Sequence, residues 1–180
     1  MAVYNKYQDF VDQLLRGVHV DFRAAGSVLK VALTNTAPNA ATHTVLADFT
    51  EIAGGNGYTA GGTDVQNDMT EAAGTATVTG VDVVWTASGG TIGPFRYVGL
   101  YNDTPVAPAD PLISWWDYGS AITLQIAETF TVDFGASVFT LASFPYIPRP
   151  DVNDMKNVVR WAMGWPRHYR LKAEPGRYAT

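Results

Sequence analysis

The chain has 180 residues, of which 47% are apolar and only 16% charged, a length and composition typical of one β-rich domain with appended arms. Cysteine is absent, which excludes disulfides, thiolate metal sites and cysteine nucleophiles. The net charge is −5, and neither a signal-like leader nor a membrane-spanning apolar stretch is visible, so we expect a protein made in the cytoplasm that stays soluble.

The first segment predicts an amphipathic helix over residues 5–19. Its apolar residues recur at the spacing of one helix face, and Gly17 is suited to ending the helix. We interpret residues 1–27 as an N-terminal helical arm whose apolar stripe packs on the body or on another copy. The side chains expected to contact a partner surface or a neighbouring subunit are Tyr7, Phe10 and Leu14.

From residue 28 the apolar period changes to two, and about eight short strands follow, separated by loops rich in glycine and proline. No helical pattern is long enough for parallel crossovers, so the sheets should be antiparallel. We predict a mainly β fold, an antiparallel β-sandwich or jelly-roll-like body over residues 28–142. The strands are expected at 28–34, 43–49, 75–86 with a possible break at Gly80, 95–101, 112–119, 121–126, 129–134 and 137–142.

Residues 143–180 begin with the proline-rich connector FPYIPRP, continue into a predicted C-terminal helix from Asp151, and end in an extended basic arm. Residues 149–180 hold seven basic residues against three acidic residues, a net charge of +4, whereas residues 1–148 carry −9. This opposition predicts an arm that binds acidic protein surface. Its expected contact residues are Arg149, Met155, Arg160, Trp161, Trp165, Arg167, Tyr169, Arg170 and Lys172.

No catalytic or metal-binding motif is visible in the sequence. The three histidines are dispersed, and neither GxSxG nor SxxK occurs. The segment at 64–71, DVQNDMTE, lacks the alternate spacing and central glycine of a calcium loop, and the glycine-rich segment at 54–62 lacks the lysine of a phosphate loop. We therefore expect no enzyme activity, no cofactor and no metal. A β-sandwich hydrolase with paired acids stays open as a minor alternative.

The basic arm has a second interpretation as a nucleic-acid arm, since it combines cations with a stacking ring at Tyr169. The charge of −9 on the remaining chain would repel a polyanion, which favours a protein partner. We expect neither nucleic acid nor membrane as a partner.

Several stretches resemble small structural proteins of tailed bacteriophages. The resemblance covers residues 3–142, and its most telling elements are Glu51 to Tyr58, the strand FRYVGLYN at 95–102, the segment LISWW at 112–116 and the step ETF at 128–130. These are features of a fold and not catalytic motifs.

The resemblance implies a virion structural protein, placed either as capsid decoration (cement) or in the tail, neck or fibre. Two arms on a rigid body favour cement, because arms can join several capsid subunits through many weak contacts. We expect binding to the major capsid protein on the outer surface of the virion. We also expect a cyclic homo-oligomer, with a trimer as the first expectation. The alternative is a tail, neck or fibre-associated protein contacting host surface glycans.

Overall fold

The computed structural model describes residues 3–142, which form one helix, a 3-10 turn and ten strands. In chain order these are β1 (Val3–Lys6), α1 (Asp9–Leu15), β2 (Leu29–Thr34), the 3-10 turn (Leu46–Asp48), β3 (Thr63–Asp64), β4 (Asp68–Ala72), β5 (Thr75–Thr79), β6 (Val83–Thr86), β7 (Ile92–Asn102), β8 (Leu112–Leu124), β9 (Thr129–Val132) and β10 (Phe139–Ala142).

The ten strands form three sheets, and every strand pair is antiparallel. The main sheet has five strands in the order β1-β8-β7-β2-β3, the three-stranded sheet has the order β10-β5-β4, and the two-stranded sheet pairs β6 with β9. The prediction of a mainly β fold with antiparallel sheets is therefore confirmed for residues 3–142. No helix in this range is long and apolar enough to cross a membrane.

One face of the main sheet contributes to a single large apolar cluster, called here the main cluster. The buried side chains of this cluster come from all three sheets. They include Val31 and Leu33 of β2, Phe95 and Leu100 of β7, Ile113 of β8, Val78 of β5, Phe139 of β10, Trp85 of β6 and Val132 of β9.

The opposite face of the main sheet carries a smaller apolar group, called the second cluster. Its buried members are Tyr7, Ala32, Phe49, Tyr101 and Leu112, with Leu46 and Trp115 packed against them. Tyr7, Leu46 and Phe49 are contributed by segments outside the strands. This face is therefore covered by irregular chain rather than by a further sheet.

The N-terminal segment differs from the predicted four-turn helix. Residues Val3–Lys6 form the edge strand of the main sheet, paired with β8, and α1 spans only seven residues. Gly17 ends the helix as predicted: its φ is 73°, its N–H donates to the Leu14 carbonyl, and the N–H of Val18 donates to the Gln13 carbonyl. The segment predicted as a separate arm thus enters the same sheet as the body.

The strand predicted at 43–49 is wrong, because this segment forms a loop containing the 3-10 turn. Asp48 accepts hydrogen bonds from the main-chain N–H groups of Thr44 (2.9 Å) and Val45 (3.2 Å), which folds the chain back on itself. These bonds also hold the pKa of Asp48 below its usual value.

The two strands expected at 112–119 and 121–126 are one, β8, which runs through Gly119. Three irregularities in its register with β7 accommodate its length. The break expected at Gly80 is confirmed, since β5 ends at Thr79 and β6 begins at Val83. A side chain at Gly80 would place its Cβ 2.3 Å from a methyl carbon of Val65.

Candidate functional site

Two of the predicted N-terminal contact residues lie inside the protein's own core. Tyr7 is fully buried in the second cluster, 4.6 Å from the Trp115 ring between centroids, and its N–H donates to the Ile113 carbonyl. Phe10 is 2% exposed in the main cluster, with edge-on ring contacts to His19 and Phe139. Their burial corrects the interpretation of these two residues as a surface for a partner.

Leu14, the third predicted N-terminal contact, is partly buried and packs against the main cluster. The side of α1 that stays exposed presents Val11 and Leu15, which are 42% and 83% exposed. The sequence predicts that Tyr7, Phe10 and Leu14 lie on one face of a single helix. In the structure they do not share a face, because Tyr7 precedes α1 and packs on the other face of the main sheet.

The remaining predicted contact residues lie outside the described residues. These are Arg149, Met155, Arg160, Trp161, Trp165, Arg167, Tyr169, Arg170 and Lys172, together with the connector and the C-terminal helix expected around them.

A buried polar network ties the N-terminal segment to the main sheet. His19 is 4% exposed, with Nε2 3.0 Å from Gln13 Oε1 and Nδ1 3.3 Å from Asn102 Nδ2. The Thr104 N–H donates to Asn102 Oδ1, so the amide nitrogen of Asn102 faces the ring and donates a hydrogen bond to Nδ1 of His19. Burial lowers the pKa of His19 to about 4, so the imidazole is neutral at pH 7.

Asn67 supplies a second structural hydrogen-bond centre. Its side-chain oxygen accepts from the Leu29 N–H (2.9 Å), and its nitrogen donates to the carbonyls of Phe22 (2.7 Å) and Ser27 (3.0 Å). Asn67 lies in the segment 64–71, whose spacing does not fit a calcium loop. In the structure both ends of its amide are used to hold the chain after α1, and residues 68–72 form strand β4.

The segment from Glu51 to Tyr58, which carries part of the phage-like resemblance, forms a hydrogen-bonded latch. The buried Tyr58 hydroxyl donates to the Glu51 carboxylate and accepts from the Leu33 N–H. Glu51 also accepts from the Gly61 N–H at 2.8 Å, and the Tyr101 hydroxyl donates to the Gly61 carbonyl. Burial raises the pKa of Tyr58 well above its usual value. The latch holds a glycine-rich loop on the main sheet, which is a structural role.

Gly57 explains why glycine precedes the tyrosine of this latch. Its φ is 100°, and a Cβ there would lie 2.2 Å from the Thr86 carbonyl oxygen. The sequence therefore places the smallest residue where the loop passes directly over β6.

The strands β7 and β8 also carry a surface ion pair. Arg96 donates two hydrogen bonds of 2.8 Å to the carboxylate of Asp117 and lies 5.1 Å from the centroid of the Tyr97 ring. The guanidinium holds the pKa of Asp117 below its usual value. Arg96, in the segment FRYVGLYN that carries part of the resemblance, thus joins β7 to β8 through an ion pair on a partly exposed face.

Two open depressions lie on the surface of the described residues. The first lies between the end of β8 and the start of β9, and its main lining residues are Tyr118, Ile122, Thr123, Glu128, Thr129 and Phe130. The second lies between β1 and β10 and is lined by Tyr4, Lys6, Phe10, Phe139 and Leu141. Within residues 3–142 no group of three or more histidine, aspartate or glutamate residues is placed to hold a metal ion.

One face of the three-stranded sheet carries mainly small side chains. The cross-strand register aligns Thr70, Thr77 and Thr140 in one row and Ala72, Thr75 and Ala142 in the next. These six side chains are uncharged, and Asp68 of β4 is a charged residue on the same face. Sequence reasoning did not identify this face, because the period-two pattern of TATVT leaves open which strands lie beside it.

No protein-family model, curated protein or solved structure matches this chain. The interpretation of its function therefore depends on the residues and the geometry described above.

Proposed function

We propose that the chain is a non-enzymatic virion structural protein of a tailed phage, a capsid decoration protein on the outer surface of the particle. Its partners in this proposal are the major capsid protein and further copies of itself in a trimer. The observation that carries the proposal is the opposition between the acidic body, at −9, and the basic residues 149–180, at +4. Such a chain can attach a rigid body through one oppositely charged segment.

The hydrogen bonds of the body support a structural rather than a chemical role. Glu51, Tyr58, Asn67 and His19 are polar groups of the kinds that enzymes use, yet each contacts other parts of the fold and holds a loop or the N-terminal segment. They give the body fixed surfaces. A fixed body suits a protein that joins neighbouring subunits, because little conformational entropy is lost on binding.

We further propose that the three sheets form a β-sandwich, with the main sheet as one layer and the two smaller sheets as the other. The main cluster supports this arrangement, since it draws buried side chains from all three sheets. With Tyr7 and Phe10 buried, attachment to the capsid in this proposal depends on the C-terminal residues rather than on both ends.

Copy number is the direct test of the decoration role. Gel densitometry of purified particles of the phage that encodes the chain should give several hundred copies per particle. A count of a few to a few dozen would contradict decoration and place the protein in the neck, tail or fibre.

Attachment through the C-terminal segment is tested by deletion. We expect the chain lacking residues 149–180 to stay folded but to bind particles more weakly, and the binding of the full chain to weaken as salt is added. Replacing Arg167, Arg170 and Lys172 with glutamine is the matched control, because it removes charge and keeps length. Undiminished binding of both variants would remove this segment from the mechanism.

Light scattering of particle-bound protein released intact should give the trimer mass, and a monomer mass would contradict the oligomer.

A further inference from the structure

The depression between β8 and β9 is built on a rigid turn. The Glu128 N–H donates to the Gln125 carbonyl (2.9 Å), and the Gln125 N–H donates to the Glu128 carboxylate (2.7 Å). The turn is joined to the chain before it, since the Ala127 N–H donates to the Ala87 carbonyl and the Ala87 N–H donates to the Glu128 carbonyl. These bonds fix the carboxylate beside the depression.

An exposed aromatic ring forms one side of the depression. Tyr118 is 53% exposed and meets Phe130 edge-on, with ring centroids 5.8 Å apart. Phe130 in turn contacts the buried rings of Phe95 at 5.0 Å and Trp85 at 6.4 Å. The exposed ring is therefore held against a series of packed rings, and a ligand that stacks on it orders little side chain on binding.

The lining combines this apolar surface with hydroxyl groups and a single charge. Thr123 and Thr129 offer hydroxyls, and Glu128 is the one charged side chain among the described lining residues. An anionic ligand would meet the Glu128 carboxylate without a compensating cation. A purely apolar ligand would cover the threonine hydroxyls without giving them hydrogen-bond partners. The lining matches a ligand that has both C–H faces and hydroxyl groups.

We propose that this depression, defined by Tyr118, Glu128 and Phe130, is a binding site for a neutral saccharide. A pyranose ring stacks its C–H face on the exposed aromatic surface, and its hydroxyls bond to Glu128 and the two threonines. The site goes beyond the decoration role, and the two proposals hold or fail independently. One shallow site binds weakly, and many copies on one particle would raise the effective affinity.

The test is a titration of the isotope-labelled full-length protein, followed by amide chemical shifts. Cellohexaose, chitohexaose and maltohexaose are added separately up to about 10 mM, the range in which a shallow site of this size binds. At least one of them should shift amides within residues 118–130. Tyr118→Ala should weaken that binding about tenfold, and Tyr118→Phe should keep most of it, because the ring provides the stacking surface.

Tyr4 provides a matched control. It is 40% exposed and meets Trp116 edge-on at 5.7 Å, much as Tyr118 meets Phe130, but it lies in the other depression. Tyr4→Ala should leave saccharide binding unchanged. The proposal is overturned if none of the three oligosaccharides shifts amides in 118–130, or if Tyr118→Ala binds as the unmodified protein does. Equal weakening by Tyr4→Ala would overturn it as well. If a variant fails to fold, the amide shifts of the unmodified protein still test the proposal, because they show whether the saccharide binds at residues 118–130.

Discussion

The two faces of the main sheet are covered in different ways. One face carries the main cluster, in which strands of the two smaller sheets supply regular, closely packed side chains. The other carries the second cluster, which is covered by Tyr7 and the loop around the 3-10 turn Leu46–Asp48. The first face is stabilised mainly by apolar burial. The second also depends on polar contacts that keep irregular chain in place.

The polar contacts at the second face are specific. Asp48 closes the loop through its bonds to Thr44 and Val45, and the Tyr101 hydroxyl donates to the Gly61 carbonyl. Loop chain of this kind opens at lower free energy than core strands do. The comparison therefore predicts that damage to the main cluster unfolds the whole body, whereas damage to the second cluster opens the loop first.

The largest effect is expected at Phe95, a fully buried residue of β7 in the main cluster. Phe95→Ala should lower the free energy of unfolding by about 4 to 5 kcal/mol, because it removes a large side chain from between three sheets. Urea unfolding followed by tryptophan fluorescence measures the change. A loss below about 1 kcal/mol would mean that the site collapses around the cavity.

Phe49 is the corresponding ring of the second cluster, at 3% exposure. Phe49→Ala should cost about 3 kcal/mol, less than Phe95→Ala, since the surrounding loop can move inward. Hydrogen exchange should accelerate mainly in residues 39–52 and much less in β7. Uniform acceleration across the sheet would contradict separate opening of the loop.

Acid should lower the stability of the fold by protonating the buried His19. The pKa of His19 is about 4 in the folded protein and 6.5 when exposed, so the neutral form stabilises the fold. That contribution is complete above about pH 6.5 and is lost as the pH falls toward about 4, by up to roughly 3 kcal/mol. A proton on Nδ1 would face the amide nitrogen of Asn102, beside the rings of Phe10 and Phe22.

The measurement for His19 is urea unfolding at pH 7 and at pH 4.5. His19→Gln should be less stable than the unmodified protein at pH 7 but should lose less stability between the two values. His43→Gln is the control, because His43 lies in the loop and outside this network. An unchanged pH dependence in His19→Gln would show that other groups cause the loss.

The latch at Tyr58 should give a smaller effect. Tyr58→Phe removes the hydroxyl that donates to Glu51 and accepts from the Leu33 N–H, which leaves a buried donor unpaired. We expect a loss of about 2 kcal/mol in the free energy of unfolding.

Tyr7→Phe is the matched control for the latch. The Tyr7 hydroxyl is buried and has no hydrogen-bond partner among the described residues, so its removal should change stability by less than about 0.5 kcal/mol. A similar loss in both variants would mean that ring packing, and not the latch, gives Tyr58 its effect.

The sequence predicts strands rich in β-branched and aromatic residues between turn residues, such as β2, β5 and β7. It does not predict β1 (Val3–Lys6), because Tyr7, just after that strand, and Phe10, in α1, fit one helix stripe. In the structure the two residues belong to different clusters, Tyr7 to the second cluster and Phe10 to the main cluster. Pattern analysis also misses β4, whose sequence DMTEA is polar because most of that strand is exposed. The three-sheet arrangement depends on pairing between distant segments, which local patterns do not encode.

The candidate surfaces were less predictable than the fold. The exposure of Tyr118 and the burial of Tyr7 depend on which strand or loop covers each residue, and similar aromatic residues have opposite positions here. The network of His19, Gln13 and Asn102 joins residues far apart in the chain. Single histidines carry no spacing signal, so pattern analysis treats them as surface residues.

The contact between Phe49 and Gly99 has a consequence for how this sequence can diverge. A Cβ at position 99 would lie 2.6 Å from the Phe49 ring, so the ring occupies the space that glycine leaves open. A larger residue at 99 therefore requires a smaller one at 49, and the two positions should change together among homologues. Alanine at 99 should be poorly tolerated beside phenylalanine and better tolerated beside leucine or valine, a pattern of paired substitutions that sequence families would record.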